Sequence, residues 1–223
     1  MTISTPELIS CVCPTADRRK FIPQMVGSFL SQTWPNKELI IIDDGDDNIA
    51  DLLPLNCGLI RYYRPRGKRN IPVKRNLCAE QANGKLIAHF DDDDWSAPER
   101  LDIQFRMLTA SKARITGFRN LLFWDQINRK GWKYMGAEGY ACGTSFFYTK
   151  DFWKDTPFKE DVPLGSDNEM IYAARRAKES ATFDGERLMV ARLHSRHSNS
   201  HDINGENYKP AAKGGFPKEF FRF

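Results

Sequence analysis

The stretch at residues 86–99, Leu86-Ile87-Ala88-His89-Phe90-Asp91-Asp92-Asp93-Asp94-Trp95-Ser96-Ala97-Pro98-Glu99, joins a short apolar run to four adjacent aspartates. The turn Asn83-Gly84-Lys85 precedes the apolar run, which therefore reads as a short buried strand. Ser96 and Glu99 have the spacing of a capping box and predict a helix starting there. The acidic run is thus expected at the carboxyl end of a strand, where open α/β sheets bind their ligands.

Four neighbouring carboxylates repel one another and gain nothing from a hydrophobic core. They are tolerated where a hard cation or a cluster of basic groups lies among them, and oxygen ligands favour Mg²⁺, Mn²⁺ or Ca²⁺ over zinc or copper. The alternative is a solvated acidic loop, which is the usual fate of a run of charges. The position between a buried strand and a capped helix favours a metal site.

The same alternation of strands and helices extends outward from this stretch. Apolar runs predict strands at 8–13, 39–42 and 59–63, and the continuous run Leu39-Ile40-Ile41-Ile42 is typical of a parallel sheet covered on both faces. Helices are predicted at 19–32, 48–53, 73–82 and 97–110. The fold class is therefore α/β, with a doubly wound and mostly parallel sheet that has helices on both faces.

Beyond residue 112 the pattern changes to aromatic strands without long helices between them. Strands are predicted at 115–125, 131–135, 143–148 and 187–193, and a second capping box at Ser166–Glu169 predicts a helix through Ala177. We expect one domain over 1–207, with a first half at 1–112 and a smaller β/α half at 113–207. Residues 208–223 form a tail with aromatic and basic residues, expected to pack its Phe side chains against the domain.

Composition and net charge restrict the possible classes of protein only slightly. The 223 residues carry a net charge of +4, which is too mild to argue for nucleic acid. The segment 61–75 holds seven basic residues and no acid. A basic segment shortly before an acidic cluster suits an anionic, metal-bound ligand such as a nucleoside diphosphate, and the alternative is a solvated basic loop.

The cysteines and the hydropathy bear on the cellular compartment. Five cysteines without a paired CxxC motif argue against a disulfide framework, and Cys11 and Cys13 alternate in an apolar strand and so point to one face. No apolar run approaches the length of a membrane span, and the sequence lacks a signal-peptide pattern. We expect a cytoplasmic protein, with attachment to the inner face of a membrane left open.

Several further stretches occur in a set order along the chain. They are Ser10-Cys11-Val12-Cys13-Pro14-Thr15, Ser28-Phe29-Leu30-Ser31-Gln32-Thr33, Glu38-Leu39-Ile40-Ile41-Ile42-Asp43-Asp44-Gly45, Arg75-Asn76, Ala82-Asn83-Gly84, the acidic run, Gly143-Thr144-Ser145 and Gly165-Ser166-Asp167. In this order the chain resembles glycosyltransferase family 2, the nucleotide-sugar-dependent enzymes of the GT-A fold. Each piece is weak alone, but together they are specific and leave only the tail uncovered.

The resemblance implies residues that bind the donor nucleotide sugar. Asp44 matches the carboxylate that binds the base, and Pro14 and Thr15 match the loop beside it. Arg75 is expected to contact phosphate, and Arg66, Lys68 or Arg69 are further candidates. Without the resemblance, Asp44 reads equally well as a solvated turn residue, because Asp-Gly is a common turn pair.

The resemblance also implies the metal ligands. Asp91 and Asp93 match the outer residues of the DxD motif, with Asp93 as the direct ligand and Asp91 and Asp92 on ribose or metal-bound water. Asp94 is a reserve, because alignment within four aspartates can slip by one. His194 and His197 both match a segment in which a histidine reaches the metal or the diphosphate, although a solvated loop histidine is the commoner case. The expected cofactor is Mn²⁺ or Mg²⁺.

Asp167 matches the catalytic base of the family, with Ser166 in place of the usual Glu. Family members invert the anomeric carbon, because the base removes the acceptor proton as that oxygen attacks opposite the leaving diphosphate. Asp is also favoured in a first helical turn for stability alone. Gly143, Thr144 and Ser145 match a turn on the acceptor side, for which the alternative is a purely structural turn.

The resemblance therefore predicts a metal-dependent inverting glycosyltransferase that moves one sugar from a nucleotide sugar, with a UDP-sugar expected. The sequence lacks the Gln-x-x-Arg-Trp motif of processive relatives. The acceptor is a hydroxyl on a glycan, a lipid-linked saccharide or another molecule, nucleic acid included. Alternatives are a sugar nucleotidyltransferase, disfavoured because residues 14–19 contain no glycine, and a non-catalytic nucleotide-sugar or glycan-binding module.

Overall fold

A computed structural model describes residues 6–194 and 205–222 of the chain. The strands are β1 (Ile9–Thr15), β2 (Lys37–Asp43), β3 (Ile60–Tyr63), β4 (Leu86–His89), β5 (Trp95–Ser96), β6 (Ile115–Asp125), β7 (Lys130–Met135), β8 (Phe147–Thr149), β9 (Ser180–Asp184), β10 (Met189–Leu193) and β11 (Tyr208–Ala211). The α-helices are α1 (Ile22–Leu30), α2 (Ile71–Gln81), α3 (Arg100–Ser111), α4 (Lys150–Asp155) and α5 (Ser166–Arg176). Short 3₁₀ turns lie at Arg19–Phe21, Ala50–Leu52, Gly143–Ser145, Lys213–Gly215 and Lys218–Arg222.

The described strands form one mixed sheet with a parallel half and an antiparallel half. In the parallel half, β1 lies between β2 and β4, and β3 follows β2 at the edge. On the other side β8 pairs antiparallel with both β4 and β6, and β7 and then β11 follow antiparallel. The predicted α/β class with a parallel-dominated centre is confirmed.

The sheet branches at the long strand β6, which pairs with different strands along its length. Its first part pairs parallel with β9, and its last part pairs parallel with β10, with an irregularity between Phe118 and Asn120. The strand β10 in turn pairs antiparallel with the short β5 that follows the acidic run. The end of β10 is thereby brought beside the aspartates, although about a hundred residues separate them along the chain.

Hydrophobic burial explains why the parallel strands form where they do. Val12, Ile40 and Ile87 project to one face of the sheet, while Cys11, Leu39 and Ile41 project to the other, and all six are fully buried. Helices therefore cover both faces, as the continuous apolar run of β2 predicts. Cys11 and Cys13 share one face as expected, and burial raises the pKa of the Cys11 thiol to about 12.

Both predicted capping boxes are wrong. Ser96 lies in β5 and its hydroxyl accepts a hydrogen bond from the Arg100 guanidinium at 2.8 Å, and α3 begins after Glu99 without a side-chain cap. Gly165, with φ of +79°, takes the N-cap position of α5, so Ser166 is already helical. Ser96 therefore lies three residues before the N-cap of α3, and Ser166 lies directly after the N-cap of α5, so neither serine caps its helix.

The remaining differences concern element boundaries, and one short α-helix and three strands that were not predicted. The helix expected at 19–32 is a 3₁₀ turn followed by α1, the segment at 48–53 forms only a 3₁₀ turn, and the strand expected at 143–148 begins at Phe147. The additional helix is α4, and the additional strands are β5, β9 and the edge strand β11, the last of which lies within the tail. None of the helices in the described part of the chain is long and apolar enough to cross a membrane.

Candidate functional site

A cavity of about 550 Å³ opens at the carboxyl ends of the central strands. It is lined by residues from both halves of the sheet, namely Pro14, Arg18, Ile71, Arg75, Asp91, Asp92, Asp93, Asp94, Phe123, Tyr134, Tyr140, Cys142, Gly143, Thr144, Leu164, Gly165, Asp167, Asn168, Ala191 and Tyr208. The acidic run and Asp167 therefore line the same cavity. Their order in the sequence alone could not show this.

Asp92 and Asp93 lie at the back of this cavity, bound to groups from distant parts of the chain. The hydroxyl of Thr15 donates to Asp92 at 2.5 Å, and the Arg18 guanidinium bridges Asp92 and Asp93 at 2.9 Å to each. The imidazole Nε2 of His194 lies 2.8 Å from the Asp93 carboxylate. The acidic run is therefore not a solvated loop, because its carboxylates are buried among basic groups.

Asp94 points away from this pair and joins the run to the far side of the cavity. Its carboxylate accepts hydrogen bonds from the Thr144 hydroxyl and from the backbone N–H of Arg192, the latter at 3.0 Å. The Arg192 guanidinium also donates to the backbone carbonyl of Asp93 at 3.1 Å. Asp94 thus has a structural role between β4, the Gly143–Ser145 turn and β10.

Burial and mutual repulsion act on the protonation of these aspartates. Burial, followed by the neighbouring charge of Asp93, raises the pKa of Asp92 to about 7, although Arg18 and Thr15 oppose the shift. Burial and the charges of Asp93 and Asp91 raise the pKa of Asp94 well above its usual value. A cation bound among these carboxylates would oppose both shifts, because an opposite charge nearby favours the ionised form.

Asp91 and Arg75 form the entrance to the cavity. The Arg75 guanidinium lies 3.5 Å from one oxygen of Asp91, which is a loose pairing. Among the described residues, the other Asp91 oxygen and the Arg75 Nε are both buried without a hydrogen-bond partner. Buried polar atoms without partners are uncommon, so these two atoms are placed to contact a bound anion or cation.

The donor set around Asp93 fits a divalent cation only in part. Within residues 6–194 and 205–222, no three His, Cys, Asp or Glu side chains are grouped as a metal site. The two groups that do converge are Asp93 and His194. One or two protein ligands are nonetheless usual for Mg²⁺ and similar ions, because phosphate oxygens and water complete the coordination. His197 lies outside the described residues.

Asp44 does not line the large cavity. Its carboxylate is almost fully buried, where it accepts hydrogen bonds from the Lys74 ammonium at 2.7 Å and the backbone N–H of Arg69 at 2.5 Å. A smaller cavity of about 380 Å³ lies beside it and is lined by Asp44, Gly45, Asp46, Arg64, Pro65, Gly67 and Lys68. Of the predicted donor residues, Asp44 thus lines the small cavity and Thr15 lines neither, while the others line the large cavity, namely Pro14, Arg75, Asp91, Asp92 and Asp93.

Asp167 occupies the first turn of α5 and lines the same cavity as the acidic run. Its carboxylate packs directly against Gly143, where a β-carbon would lie 2.7 Å from the Asp167 Cγ. The next residue, Asn168, accepts a hydrogen bond from the Tyr140 hydroxyl at 3.0 Å. Glycine is therefore required at 143 because the carboxylate occupies the space of its side chain.

His89 connects the strand before the acidic run to the turn at Gly143. The imidazole Nδ1 lies 2.6 Å from the Gly143 carbonyl and the ring is completely buried. Burial lowers the pKa of His89 well below its usual value, so the neutral ring donates its Nδ1 proton to that carbonyl. Behind it, the fully buried Arg100 donates to the His89 carbonyl at 2.8 Å.

Sequence reasoning missed four residues that hold this site together, Arg18, Lys74, Thr144 and Arg192. Lys74 was counted only as part of the basic segment, and Thr144 only as part of a turn. Their signal was weak, because each role depends on a partner at least 30 residues away. For Arg18 a usable signal existed, since it follows the end of β1 and strand ends face the crevice.

The comparisons with known proteins all find glycosyltransferases. The model of the family described as Glycosyl transferase family 2 matches residues 10–172. The glycosyltransferase GlyG of Streptococcus pneumoniae is 33% identical over 139 residues, covering 60% of this chain and 46% of GlyG. An uncharacterized glycosyltransferase from Rickettsia felis is 30% identical over 147 residues, covering 62% of this chain and 23% of the relative. The chain therefore spans less than half the length of both relatives.

Two solved structures share the fold at low sequence identity. S. aureus TarS in complex with UDP-GlcNAc has a TM-score of 0.70 and 16% identity, covering 85% of this chain and 60% of that one. The mannosyltransferase PcManGT from Pyrobaculum calidifontis, in complex with GDP-Man and Mn²⁺, has a TM-score of 0.68 and 12% identity, covering 86% and 59%. These similarities confirm the predicted GT-A fold.

Proposed function

The chain belongs to glycosyl transferase family 2, and from this premise we propose that it transfers a single sugar from a nucleotide sugar to a hydroxyl acceptor. The observation that carries the proposal is the shared cavity, in which Asp167 faces the acidic run and Arg75. A base together with anion- and cation-binding groups around one cavity provides the parts that a displacement at an anomeric carbon requires.

In the proposed reaction, Asp167 accepts the proton of the acceptor hydroxyl. The acceptor oxygen forms a bond to the anomeric carbon while the bond from that carbon to the diphosphate breaks, and the diphosphate leaves with the electron pair. Attack opposite the leaving group inverts the anomeric configuration. General-base catalysis of this kind accelerates a reaction by roughly 10²–10⁴-fold.

The donor is proposed to be a UDP-sugar held by both cavities. Asp44 and its smaller cavity would take the base, and Arg75 and Arg18 would lie near the diphosphate beside Pro14 and Thr15. Arginine suits this place because its guanidinium matches phosphate oxygens geometrically. TarS was crystallised with UDP-GlcNAc, which supports a uridine donor, whereas PcManGT holds GDP-Man, so the base needs a direct test.

A divalent cation, Mn²⁺ or Mg²⁺, is proposed to bind at Asp93 and His194, with Asp91 and Asp92 as the further predicted contacts. When bound, it would neutralise charge developing on the leaving diphosphate. The chain's own contribution is to fix these ligands, since Thr15 and Arg18 hold Asp92, and Arg18 and His194 contact Asp93.

The decisive experiment measures nucleoside diphosphate release from a panel of UDP-, GDP- and dTDP-sugars with Mn²⁺, with water or a saccharide as acceptor. We expect release with one nucleotide class and loss of at least about 100-fold in Asp167→Asn, because the general base is removed. The Asp167→Asn variant should still show the increase in Tm that binding of the nucleoside diphosphate causes. NMR of the sugar product of the wild type should show that the anomeric configuration is inverted. Turnover that is unchanged in Asp167→Asn would refute the mechanism, and turnover only with nucleoside triphosphates would favour a nucleotidyltransferase.

A further inference from the structure

We propose that the large cavity contains a saccharide-binding acceptor subsite whose wall is formed by the rings of Tyr134, Tyr140 and Tyr208. The proposal rests on the proposed glycosyl transfer and specifies its acceptor as a carbohydrate. All three rings line the cavity that also holds Asp167. One of them, Tyr208, lies beyond the residues that match the family, which end at 172.

The three tyrosines form a continuous aromatic surface. The ring centres of Tyr134 and Tyr208 are 5.0 Å apart, and those of Tyr134 and Tyr140 are 6.3 Å apart. Phe123 supports the group from β6, with its ring 6.1 Å from Tyr134 and 5.5 Å from Tyr208. Rings packed at these distances and angles hold one another in place, so the wall is formed before a ligand arrives.

The pairing of β11 with β7 fixes Tyr208 in this wall. Tyr208 lies directly opposite Tyr134 in the antiparallel register, and the backbone N–H of Met135 donates to the carbonyl of Asn207 at 2.9 Å. Residues directly opposite in a sheet place their side chains on the same face. The pairing therefore brings a ring from the C-terminal segment to the active-site cavity.

The segment that follows Tyr208 is anchored to the domain at two further points. Phe216 packs on Gly131, where a β-carbon would lie 2.8 Å from the phenyl Cζ, so the absence of a side chain there makes room for the ring. Gln24 of α1 donates to the carbonyl of Phe220 at 3.0 Å, and Phe220 is completely buried. The segment after Tyr208 is thus anchored to the domain through Phe216 and Phe220.

The chemistry of the cavity matches a saccharide. A pyranose ring has an apolar face of C–H groups, which packs on the electron-rich face of an aromatic ring, and a rim of hydroxyls that needs polar partners. Asp167, Asn168 and Thr144 line the same cavity and provide such partners. An acyl chain would fill the aromatic wall but would offer no hydrogen bond to the Asp167 carboxylate, which is unfavourable.

The position of the wall also places a bound sugar for reaction. Tyr140 is hydrogen-bonded to Asn168, the residue next to Asp167, so the wall and the proposed base are joined directly. A sugar stacked on these rings would therefore present its hydroxyls to the Asp167 carboxylate. The wall would select acceptors by ring shape, while the acidic run on the other side would bind the donor.

The test is saturation-transfer NMR with methyl glycosides of glucose, galactose, mannose and N-acetylglucosamine and with cellobiose and maltose, in the presence of UDP and Mn²⁺. We expect at least one probe to bind the wild type and to bind Tyr208→Leu and Tyr140→Leu at least fivefold more weakly. Tyr208→Phe should retain binding, because it keeps the ring. The matched control is Tyr63→Leu, which removes a tyrosine of β3 that does not line the cavity.

Two results would overturn the inference. One is that no saccharide probe binds the wild type, and the other is that Tyr208→Leu and Tyr140→Leu bind the probe as well as the wild type does. Circular dichroism of each variant separates loss of the wall from loss of folding, and Tyr208→Phe shows whether the ring is what matters. Donor cleavage is measured separately, so a wild type that binds saccharides through the wall but releases no diphosphate would refute the proposed function alone.

Discussion

The carboxylate of Asp167 occupies the space that a side chain on Gly143 would need, with its Cγ 2.7 Å from the position of a β-carbon there. Gly143 is in turn held by His89, whose Nδ1 lies 2.6 Å from its carbonyl. The placement of the proposed base therefore depends on a turn that is fixed from the strand carrying the acidic run. Both walls of the cavity are built as one unit.

The first prediction concerns Gly143→Ala. The added methyl group must displace either the Asp167 carboxylate or the turn, so we expect kcat to fall by about 100-fold, comparable to loss of a general base. The KM for the nucleotide sugar should change little, because Gly143 is not among the residues proposed to bind the donor. Steady-state kinetics of sugar transfer provide the measurement.

A matched control for that substitution is Gly215→Ala, because no atom lies within 4 Å of a β-carbon at this position. It should leave kcat unchanged. If Gly143→Ala is as active as Gly215→Ala, the close approach of Asp167 to residue 143 does not matter for the reaction.

The second prediction concerns cation binding at Asp93 and His194. We expect Asp93→Asn and His194→Ala to lose the additional thermal stabilisation that Mn²⁺ gives in the presence of UDP, while UDP alone still raises the Tm. A ligand at 100 times its Kd stabilises the folded state by about 2.7 kcal/mol, so the loss is measurable by differential scanning fluorimetry. Asp151→Asn removes an 80% exposed carboxylate and serves as the control. An undiminished Mn²⁺ effect in Asp93→Asn would contradict the assignment.

Much of the fold could be predicted because its central strands are buried on both faces. The runs that became β1, β2 and β4 consist of apolar residues with almost no exposed surface, and such runs are recognisable from local sequence. The strand β9 was missed because its residues are mostly half-buried and show no alternation. The strand β11 was missed because it contains Pro210, which is tolerated only since β11 is an edge strand.

The residues of the candidate functional site could be predicted only where they belong to a short, recognisable stretch of sequence. The acidic run and Asp167 are visible in the sequence, but their partners are not. Arg18 and His194 reach the run across 74 to 101 residues of chain. No local pattern encodes such a contact, because it depends on how β1, β4 and β10 are arranged in the sheet. The aromatic wall was missed for the same reason, since the pairing of β11 with β7 creates it.

The third prediction concerns the buried ion pair of Lys74 and Asp44. The two side chains are only 4% and 2% exposed and lie 2.7 Å apart. Removing one partner leaves an uncompensated buried charge, so Lys74→Met should lower the free energy of unfolding by about 3–5 kcal/mol. Adding Asp44→Asn to this variant should restore part of the loss, because the buried charge is then removed. Urea denaturation measures both effects.

The comparison for Lys74 is Lys68→Met, since Lys68 is 54% exposed and pairs with Asp17 and Asp46 at the surface. An exposed pair contributes about 0–1 kcal/mol, so this variant should resemble the wild type. Equal effects of the two lysine substitutions would mean that the Lys74–Asp44 pair is not buried as described.

The last prediction concerns the pH dependence of stability at Glu38. Burial raises the pKa of this carboxyl, but the hydrogen bonds from the Ser10 hydroxyl and the Asn83 backbone and the pairing with Arg61 outweigh it, so the pKa lies below its usual value of 4.5. A group whose pKa is lowered by folding contributes stability above its unfolded pKa and loses it as the pH falls through the folded value. Glu38→Gln should therefore cost about 1–2 kcal/mol at pH 7, where the charged hydrogen bonds are complete. The cost should shrink as the pH falls below 4.5, because the wild type then loses the same charge. Urea denaturation at pH 7 and pH 3.5 measures the difference, with the exposed Glu80→Gln as control, and a cost that is independent of pH would show that the charge on Glu38 does not stabilise the fold.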